Sequence, residues 1–262
     1  SIITFAKLIH FILNNNIDII HSHGKGAGIY SRICAFLTRK KCVHTFHGVN
    51  LHHSWPVRTV YRTMEKLFSL ITHITISVSR SERERVLQLG FASQQSCMYI
   101  PNGVQIPPSN TTRPPSQPFN IIHTSRFDYA KNTEQAFEII SILKRNGKLR
   151  NVQLLILGEG EGKQFCQKHA KAAGVDSCTS FLGYQEDVRS FLRGETHHQS
   201  GSPLCYLSTS RWEGLPLAVL EASSEGVPVV VSNVAGNCNA VKQNQTGHLY
   251  PPDSPEQAAD YI

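Results

Sequence analysis

Two glutamates, Glu213 and Glu221, lie eight positions apart in the segment SRWEGLPLAVLEASSEGVPVVVS at 210–232. The residues between them are almost all apolar. In a helix, Leu217, Ala218, Val219 and Leu220, with Ala222 just beyond, would cover nearly every face of one turn. We therefore expect a helix that is buried on most sides. A buried carboxylate is costly unless another group pairs with it, so Glu221 is predicted to need a partner.

The start of this helix has the features of an anion site. Gly214 and Pro216 frame the first turn, where a proline loses no hydrogen bond. The amides of Leu217 and Ala218 would point outward, with the positive end of the helix dipole behind them. A β-branched run at 229–231 follows the helix. Strand, turn, helix and strand together predict a βαβ unit.

A second group of charges follows an apolar run further upstream. Arg126 and Lys131 lie five positions apart in HTSRFDYAKN at 123–132. An arginine fork and a lysine charge that converge there would suit a diphosphate. The alternative is that both are solvated surface charges.

His47, in TFHGVN, directly follows another buried-looking strand. A histidine at that place can donate to a developing anion or orient a sugar hydroxyl. It can equally be an ordinary loop histidine, because the chain has 13 histidines. His21 and His23 also end a strand. No carboxylate or cysteine accompanies these histidines in a pattern typical of a metal site, so none is predicted.

The glycine-rich GEGEG at 158–162 superficially resembles a dinucleotide-binding loop. Glu159 and Glu161 would repel a pyrophosphate, and no serine or threonine follows Lys163 as a phosphate-binding loop requires. The pattern favours a tight turn.

A basic helix is predicted after Trp55, with Arg58, Arg62 and Lys66 spaced four apart. Its apolar side would comprise Val57, Tyr61, Met64, Leu67 and Phe68. Such a helix could lie on an anionic membrane or pack on its own sheet.

Composition narrows the class of protein. A net charge of +7 and a pI of about 9.1 favour anionic partners, but the basic residues are not interleaved with aromatics, so nucleic acid is not predicted. Seven scattered cysteines without a CxxC pair indicate neither disulfides nor a zinc site, which favours the reducing cytoplasm. No apolar run is long enough to span a membrane. The chain begins without Met, inside an amphipathic helix pattern whose apolar side would comprise Ile2, Ile3, Ala6, Ile9 and Leu13. We expect it to be a fragment.

Short apolar runs alternate with helical patterns along the whole chain, which predicts parallel sheets wrapped by helices. The expected strands are 18–23, 42–46, 71–78, 97–101, 119–125, 152–158, 179–183, 203–208 and 228–232. A proline-rich segment at 104–118 interrupts the rhythm. We predict a first domain at 1–108, a linker at 109–118 and a second domain at 119–262. Two such domains would bind ligands in the cleft between them, at the carboxyl ends of their strands.

In order along the chain, these motifs resemble the retaining glycosyltransferases of family 4, also called group 1, which have the GT-B architecture of two Rossmann-like, doubly wound domains facing a cleft. The resemblance rests on four motifs: His47 with Gly48, IPNGV at 100–104, Arg126 with Lys131, and EGLPLAVLE with its two glutamates. It implies an enzyme that transfers a sugar from a nucleotide-diphosphate sugar, most simply a UDP-sugar, to a glycan or lipid-linked acceptor.

The resemblance also implies roles for individual residues. His47, Glu213, Arg126 and Lys131 would be catalytic, and the donor would contact Arg126, Lys131, Gly214, Leu215, Pro216, Leu217 and Glu221. The acceptor side would include His21, His23 and Gly48. No metal or other cofactor is implied, because the cations and helix amides would stabilise the departing phosphates. A role in surface polysaccharide synthesis at the cytoplasmic membrane face, with peripheral contact to anionic lipid, is expected.

The chain departs from the family pattern in four places. The first domain's glycine-rich loop and the last helix of the family are not found. Ser125 stands where the family usually has glycine, and RGETHHQSGS at 193–202 is unusually polar. Two alternatives stay open. One is a GT-B sugar-nucleotide epimerase, against which the EGLPLAVLE spacing argues, and the other is a non-catalytic nucleotide-sugar-binding fragment, which the missing termini favour.

Overall fold

The computed structural model describes residues 2–49, 51, 54–107, 117–148, 150–195 and 201–262. They fall into two units, the first ending at Asn102 and the second beginning at Gly103. Each unit has its own parallel sheet. Most of the predicted linker at 109–118 lies outside the described residues.

The first unit alternates helices and strands in the order α1 (Ile2–Asn14), β1 (Ile19–His23), α2 (Gly24–Leu37), β2 (Lys41–Thr45), α3 (Trp55–Ser69), β3 (Ile74–Ser77), α4 (Arg80–Leu89) and β4 (Cys97–Tyr99). The four strands are neighbours in chain order and all parallel. Because parallel strands end at one edge of the sheet, the residues after β1, β2 and β3 meet there.

Two helices of the first unit bury different residues from those predicted. The predicted apolar side of α1 is wrong, since Ile3 and Leu13 are exposed and Ile12 is buried. In α3, Val57 and Leu67 are likewise exposed.

The buried residue of α3 is a glutamate. Glu65 accepts two hydrogen bonds from the Arg32 guanidinium of α2, at 2.7 and 3.1 Å, and both side chains are at most 2% exposed. Arg32 Nε also donates to the Gly28 carbonyl at 2.9 Å, and the guanidinium stacks over the Phe68 ring. This bidentate ion pair joins α2 to α3, and the sequence pattern did not predict it.

The second unit contains β5 (Phe119–Thr124), α5 (Thr133–Arg145), β6 (Val152–Leu157), α6 (Lys163–Ala172), a short 3-10 helix (Asp176–Cys178), β7 (Thr179–Gly183), α7 (Val188–Leu192), β8 (Ser202–Ser208), α8 (Leu217–Ser224), β9 (Val229–Ser232), α9 (Asn237–Ala240), β10 (Gly247–Tyr250) and α10 (Pro255–Tyr261). Its strands are parallel in the order β10-β9-β8-β5-β6-β7.

Alternate residues of these strands supply two separate cores, one on each face of the sheet. Ile121 of β5 and Ile156 of β6 pack with the helices α5, α6 and α10. Ile122 and Leu155, their neighbours in sequence, pack on the other face with α7 and α8. The prediction of two parallel-sheet α/β domains, the second wound on both faces, is confirmed. All the predicted strands are present, and β10 was missed because GHLY contains no apolar run.

Candidate functional site

The second sheet reverses its direction of growth between β5 and β8. The chain builds outward from β5 through β6 and β7, then returns to place β8 on the other side of β5. Doubly wound sheets bind ligands outside the carboxyl ends of the strands at such a switch point. The loops after β5 and β8 carry Lys131 and Glu213, which the sequence analysis singled out.

The structure brings these two side chains into direct contact. Lys131 Nζ lies 2.7 Å from Glu213 Oε1, and the Ser210 hydroxyl donates to the same oxygen at 2.7 Å. The Lys131 side chain is 22% exposed and that of Glu213 15%. Sequence reasoning did not predict the pair and overlooked Ser210, although its position three residues before a glutamate was an available signal.

Arg126 and Lys131 line one cavity of about 200 Å3. The other lining residues come from the ends of β5, β6 and β7 and from the start of α7: Thr124, Ser125, Leu157, Gly158, Tyr184, Gln185 and Val188. The Arg126 side chain is 73% exposed, and its guanidinium lies 2.9 Å from the Asp128 carboxylate. Arg126 is therefore well placed to meet a ligand from solvent.

The glycines of GEGEG pack against the backbone of the Arg126 loop. A Cβ added at Gly158, Gly160 or Gly162 would lie 1.7–2.1 Å from the carbonyl oxygens of residues 125–127. Only glycine permits so close an approach of two backbones. The segment thus supports the loop that carries Arg126, in keeping with the predicted turn.

Ser125, which replaces the usual glycine of the resembled family, ties this loop together. Its hydroxyl accepts from the Phe127 amide at 2.8 Å and lies 2.6 Å from Thr133 Oγ1 at the start of α5. The side chain is buried. The substitution is accommodated by these two hydrogen bonds.

The sequence predicts an anion site at the start of α8. Gly214, Leu215 and Pro216 are buried, and Pro216 is the N-cap rather than the first helical residue. The N-cap residue supplies no side-chain hydrogen bond to the helix, and the first-turn amides have no partner within the helix, as the described residues show. The expectation of burial on most sides is wrong, because Leu217 is 49% exposed and only Val219 and Ala222 are fully buried. One face of α8 is covered, by β8 and β9.

Glu221 lies on α8 and is half-buried. Burial raises the pKa of its carboxyl, Arg189 opposes that shift, and Glu225 adds to it. Arg189 itself is bound to Glu225 at 2.6 Å. Within the described part of the chain no group donates a hydrogen bond to the Glu221 carboxylate. The partner predicted from the sequence is therefore not one of the described residues.

In the first unit, three histidines form a stack at the carboxyl edge of the sheet. His23 Nδ1 lies 2.8 Å from His47 Nε2, and their rings stack at 5.1 Å. The His21 ring is 4.3 Å from that of His23, and His21 Nε2 lies 2.9 Å from Thr45 Oγ1. Burial and the neighbouring imidazoles lower the pKa of His21 and of His47, which favours neutral rings. The structure thus brings His21 and His23 together with His47.

The His47–Gly48 turn has an unusual backbone, with φ of 68° at His47 and 108° at Gly48. The Gly48 amide donates to the buried carboxylate of Glu82. Sequence analysis did not single out Glu82, although Ser79 three residues earlier forms the serine-x-x-glutamate pattern of a helix start.

Among the residues that the structure describes, no group of three or more His, Cys, Asp or Glu side chains could hold a metal ion. No helix within the described ranges combines the length and apolar character needed to cross a bilayer. His52 and His53, and residues 196–200 of the polar segment, lie outside the described residues.

The sequence matches two known family descriptions that together cover nearly all of it. Residues 109–262 match the family described as Glycosyl transferases group 1. The chain belongs to this family. Residues 1–106 match Glycosyltransferase Family 4. The resemblance to group 1, family 4 is confirmed.

Curated relatives of this group 1 chain include two glycosyltransferases of Escherichia coli. The UDP-Gal:alpha-D-GlcNAc-diphosphoundecaprenol alpha-1,3-galactosyltransferase of Escherichia coli is 26% identical over 95% of this chain and 65% of its own length. The O-antigen biosynthesis glycosyltransferase WbnH of E. coli is 25% identical, with 92% and 66% covered. The chain therefore spans just under two thirds of the length of these relatives.

Solved structures confirm the GT-B fold of this group 1 member. TarM superposes with a TM-score of 0.77 at 19% identity, over 98% of this chain and 50% of TarM. Sucrose-phosphate synthase of Thermosynechococcus elongatus gives 0.78 at 19% identity, over 99% and 68%. Anabaena HepE in complex with UDP gives 0.73 at 18% identity, over 98% and 70%. At these identities the likeness concerns the fold.

Proposed function

We propose that this protein is a retaining glycosyltransferase. It would move a sugar from a UDP-sugar to a glycan or lipid-linked acceptor in the synthesis of a cell-surface polysaccharide. Family membership supports transfer of a sugar. The named substrates of the E. coli galactosyltransferase support a UDP-sugar donor and a diphosphate lipid acceptor, and the UDP complex of HepE supports the nucleotide.

The observation that carries the proposal is the polar group at the switch point of the second sheet. Lys131 and Glu213 meet there at 2.7 Å, Arg126 lines the neighbouring cavity, and the first turn of α8 presents uncapped amides. Sequence positions 126, 131 and 213 come from loops after two different strands. Their convergence supplies what a sugar diphosphate needs: cations for the phosphates beside a carboxylate for the sugar.

The chemistry follows from where charge develops. As the nucleotide diphosphate leaves, negative charge grows on its phosphates while the sugar becomes oxocarbenium-like. Lys131, Arg126 and the amides of Leu217 and Ala218 would stabilise that charge, so no metal ion is required in this proposal. Glu221 would accept from the ribose hydroxyls and thereby gain its missing partner. Glu213 would sit beside the transferred sugar.

The acceptor is assigned to the first unit, with His47 orienting a hydroxyl and His21, His23 and Gly48 nearby. For retention of configuration we propose attack from the face that the diphosphate leaves, with a donor phosphate oxygen taking the proton of the acceptor. Neither glutamate then acts as a nucleophile.

The proposal is tested with radiolabelled UDP-sugars and membrane extract. We expect label in the lipid fraction with native protein. Lys131→Gln should lower turnover at least tenfold, because its cation meets charge that grows toward the transition state. Lys168→Gln, the same change at an exposed position of α6, should have no effect. An isomerised nucleotide, or binding without turnover, would contradict the proposal.

The donor site has its own test. Glu221→Gln should weaken UDP binding about tenfold, since hydrogen bonds to a charged group contribute about 1.5–3 kcal/mol. Glu138→Gln, at an exposed position of α5, is the matched control. Equal UDP affinities of the two variants in titration calorimetry would show that Glu221 does not hold the ribose.

We further propose peripheral contact with anionic lipid at the cytoplasmic membrane face, through α3. Trp55, Val57 and Val60 are more than half exposed on this helix, and Arg58 and Arg62 are exposed beside them. Exposed apolar and basic residues on one helix fit an anionic bilayer surface. Flotation with phosphatidylglycerol vesicles should retain the native protein and lose the Trp55→Ser variant. Equal flotation of both would contradict this assignment.

A further inference from the structure

A buried carboxylate lies behind the His47–Gly48 turn of the first unit. Glu82, the third residue of α4, is 3% exposed. Its Oε1 accepts from the Gly48 amide, and its Oε2 accepts from the Val78 amide at 2.8 Å. The Ser79 hydroxyl caps α4 by accepting from the Glu82 amide at 3.1 Å. Both carboxylate oxygens therefore serve backbone donors, and the donors belong to two different loops.

Capping of α4 accounts for only one of these bonds. A glutamate at the third position of a helix commonly reaches back to an amide at the helix start, as Glu82 does to Val78. The bond to Gly48 instead spans 34 positions and joins α4 to the loop after β2. Burial raises the pKa of Glu82 while the two amides oppose that shift, so the charge is costly at this place. Capping of α4 alone does not account for a charged side chain at this buried position.

The loop that Glu82 holds is the one that presents His47. A side chain with a Cβ is disfavoured at positive φ, and His47 lies at 68°. Such a conformation persists only where the surroundings fix it. In this conformation His47 Nε2 lies 2.8 Å from His23 Nδ1. Rotation of the 47–48 turn would break that contact, and the Gly48 amide is the group that opposes the rotation.

We propose that Glu82 is a positioning residue that holds the His47 imidazole against His23 through its hydrogen bond from the Gly48 amide, and so fixes His47 for sugar transfer. The role in transfer rests on the proposed function. The positioning of His47 does not, and it can be measured without any substrate.

The test compares Glu82→Gln with Glu84→Gln. Glutamine at 82 keeps the size of the side chain but replaces one acceptor oxygen with an NH2 group, which cannot accept from an amide. Glu84 lies on the same helix and is exposed, so its variant makes the same change of charge away from the turn. Ring signals of His47, assigned with His47→Asn, are followed by 1H–15N NMR against pH in nucleotide-free protein.

In native protein, burial and the facing rings of His23 and His21 hold the pKa of His47 below its ordinary value. In Glu82→Gln we expect its ring signals to shift and its pKa to rise toward that value, with no change in Glu84→Gln. Glutamine keeps one acceptor oxygen, which can stay on the Gly48 amide, so Glu82→Ala, which removes both oxygens, is measured beside it. Unchanged His47 signals and pKa in both variants would overturn the proposal. If neither variant folds, Glu82→Asp replaces them, because aspartate keeps the charge on a side chain one methylene shorter.

Activity gives the second measurement. Glu82→Gln should lower kcat about 10–100-fold, as expected for a misplaced group, and change the KM for the donor less than about threefold. A displaced His47 with native kcat would overturn the role in transfer. If the native and Glu84→Gln proteins also transfer no sugar, the proposed function fails, while the NMR result still decides whether Glu82 positions His47.

Discussion

The substitution Gly160→Ala asks whether the glycine-rich segment at 158–162 positions the loop that carries Arg126. A Cβ at residue 160 would lie 1.7 Å from the carbonyl oxygen of Arg126 and 2.7 Å from its carbonyl carbon. Real Cβ atoms essentially never come closer than 3.0 Å to such an atom. The two backbones must therefore separate by about 1.3 Å, the difference between 3.0 and 1.7 Å. Both are backbone segments, so neither can yield by a simple side-chain rotation.

Overpacking of this kind costs about 1–3 kcal/mol, and misplacement of a functional group by about 1 Å can cost about 100-fold in function. We expect Gly160→Ala to lose about 2 kcal/mol of unfolding free energy. UDP binding should weaken at least tenfold, which corresponds to about 1.4 kcal/mol. Both effects have one cause, the displacement of the Arg126 loop.

The assays are urea unfolding and titration calorimetry with UDP. Gly103→Ala is the matched control, because an added Cβ at Gly103 meets nothing within 4 Å. The reasoning would be refuted if Gly160→Ala kept both the stability and the UDP affinity of the control. Lost stability with unchanged affinity would show that the loop is packed there but that its position does not matter for the nucleotide.

Three further predictions concern other charges. Burial lowers the pKa of His123 to about 4. The unfolded chain therefore binds a proton at this histidine near pH 6.5, whereas the folded protein binds it only near pH 4. About 3 kcal/mol of unfolding free energy should be lost between pH 6.5 and 4. Urea unfolding should show this loss in native protein and not in His123→Gln. Glu65→Gln should cost about 3–5 kcal/mol in the same assay, because it leaves the Arg32 guanidinium buried without a counter-charge, and a cost below about 1 kcal/mol would contradict that account. Glu213→Gln should tighten UDP binding a few-fold, because it frees Lys131 from its ion pair, and should slow transfer. Weaker UDP binding of this variant in calorimetry would contradict the prediction.

Much of the fold was predictable, because parallel sheets covered on both faces leave a clear sequence pattern. Runs such as VQLLIL in β6 and VVVS in β9 are apolar at nearly every position, as strands buried on both sides must be. The helix at 217–224 was also predictable, but the extent of its burial was not. The spacing of apolar residues predicts a helix, but the burial of each face depends on which elements pack against it. In the described chain nothing fully covers Leu217.

Individual residues of the candidate site could be predicted from the sequence, but the contacts between them could not. Lys131 and Glu213 were recognisable because each follows a strand. Their contact depends on β8 lying beside β5, and no local pattern specifies that strand order. The buried charges Glu65 and Glu82 were missed for a different reason. A sequence pattern assigns charged residues to the surface, and only the partners, Arg32 and the amides of Gly48 and Val78, make their burial possible.

Under the proposed function, the ion pair at the switch point would let one site serve both the phosphates and the sugar. Without donor, Lys131 and Glu213 neutralise each other at 2.7 Å, and Ser210 holds the carboxylate in place. A diphosphate is doubly charged, so it attracts Lys131 more strongly than one carboxylate does, and its arrival would release Glu213. The freed carboxylate would then face the sugar at the moment positive charge develops there. Loss of the Glu213 charge should therefore favour binding and oppose transfer, a division that a purely structural ion pair would not produce.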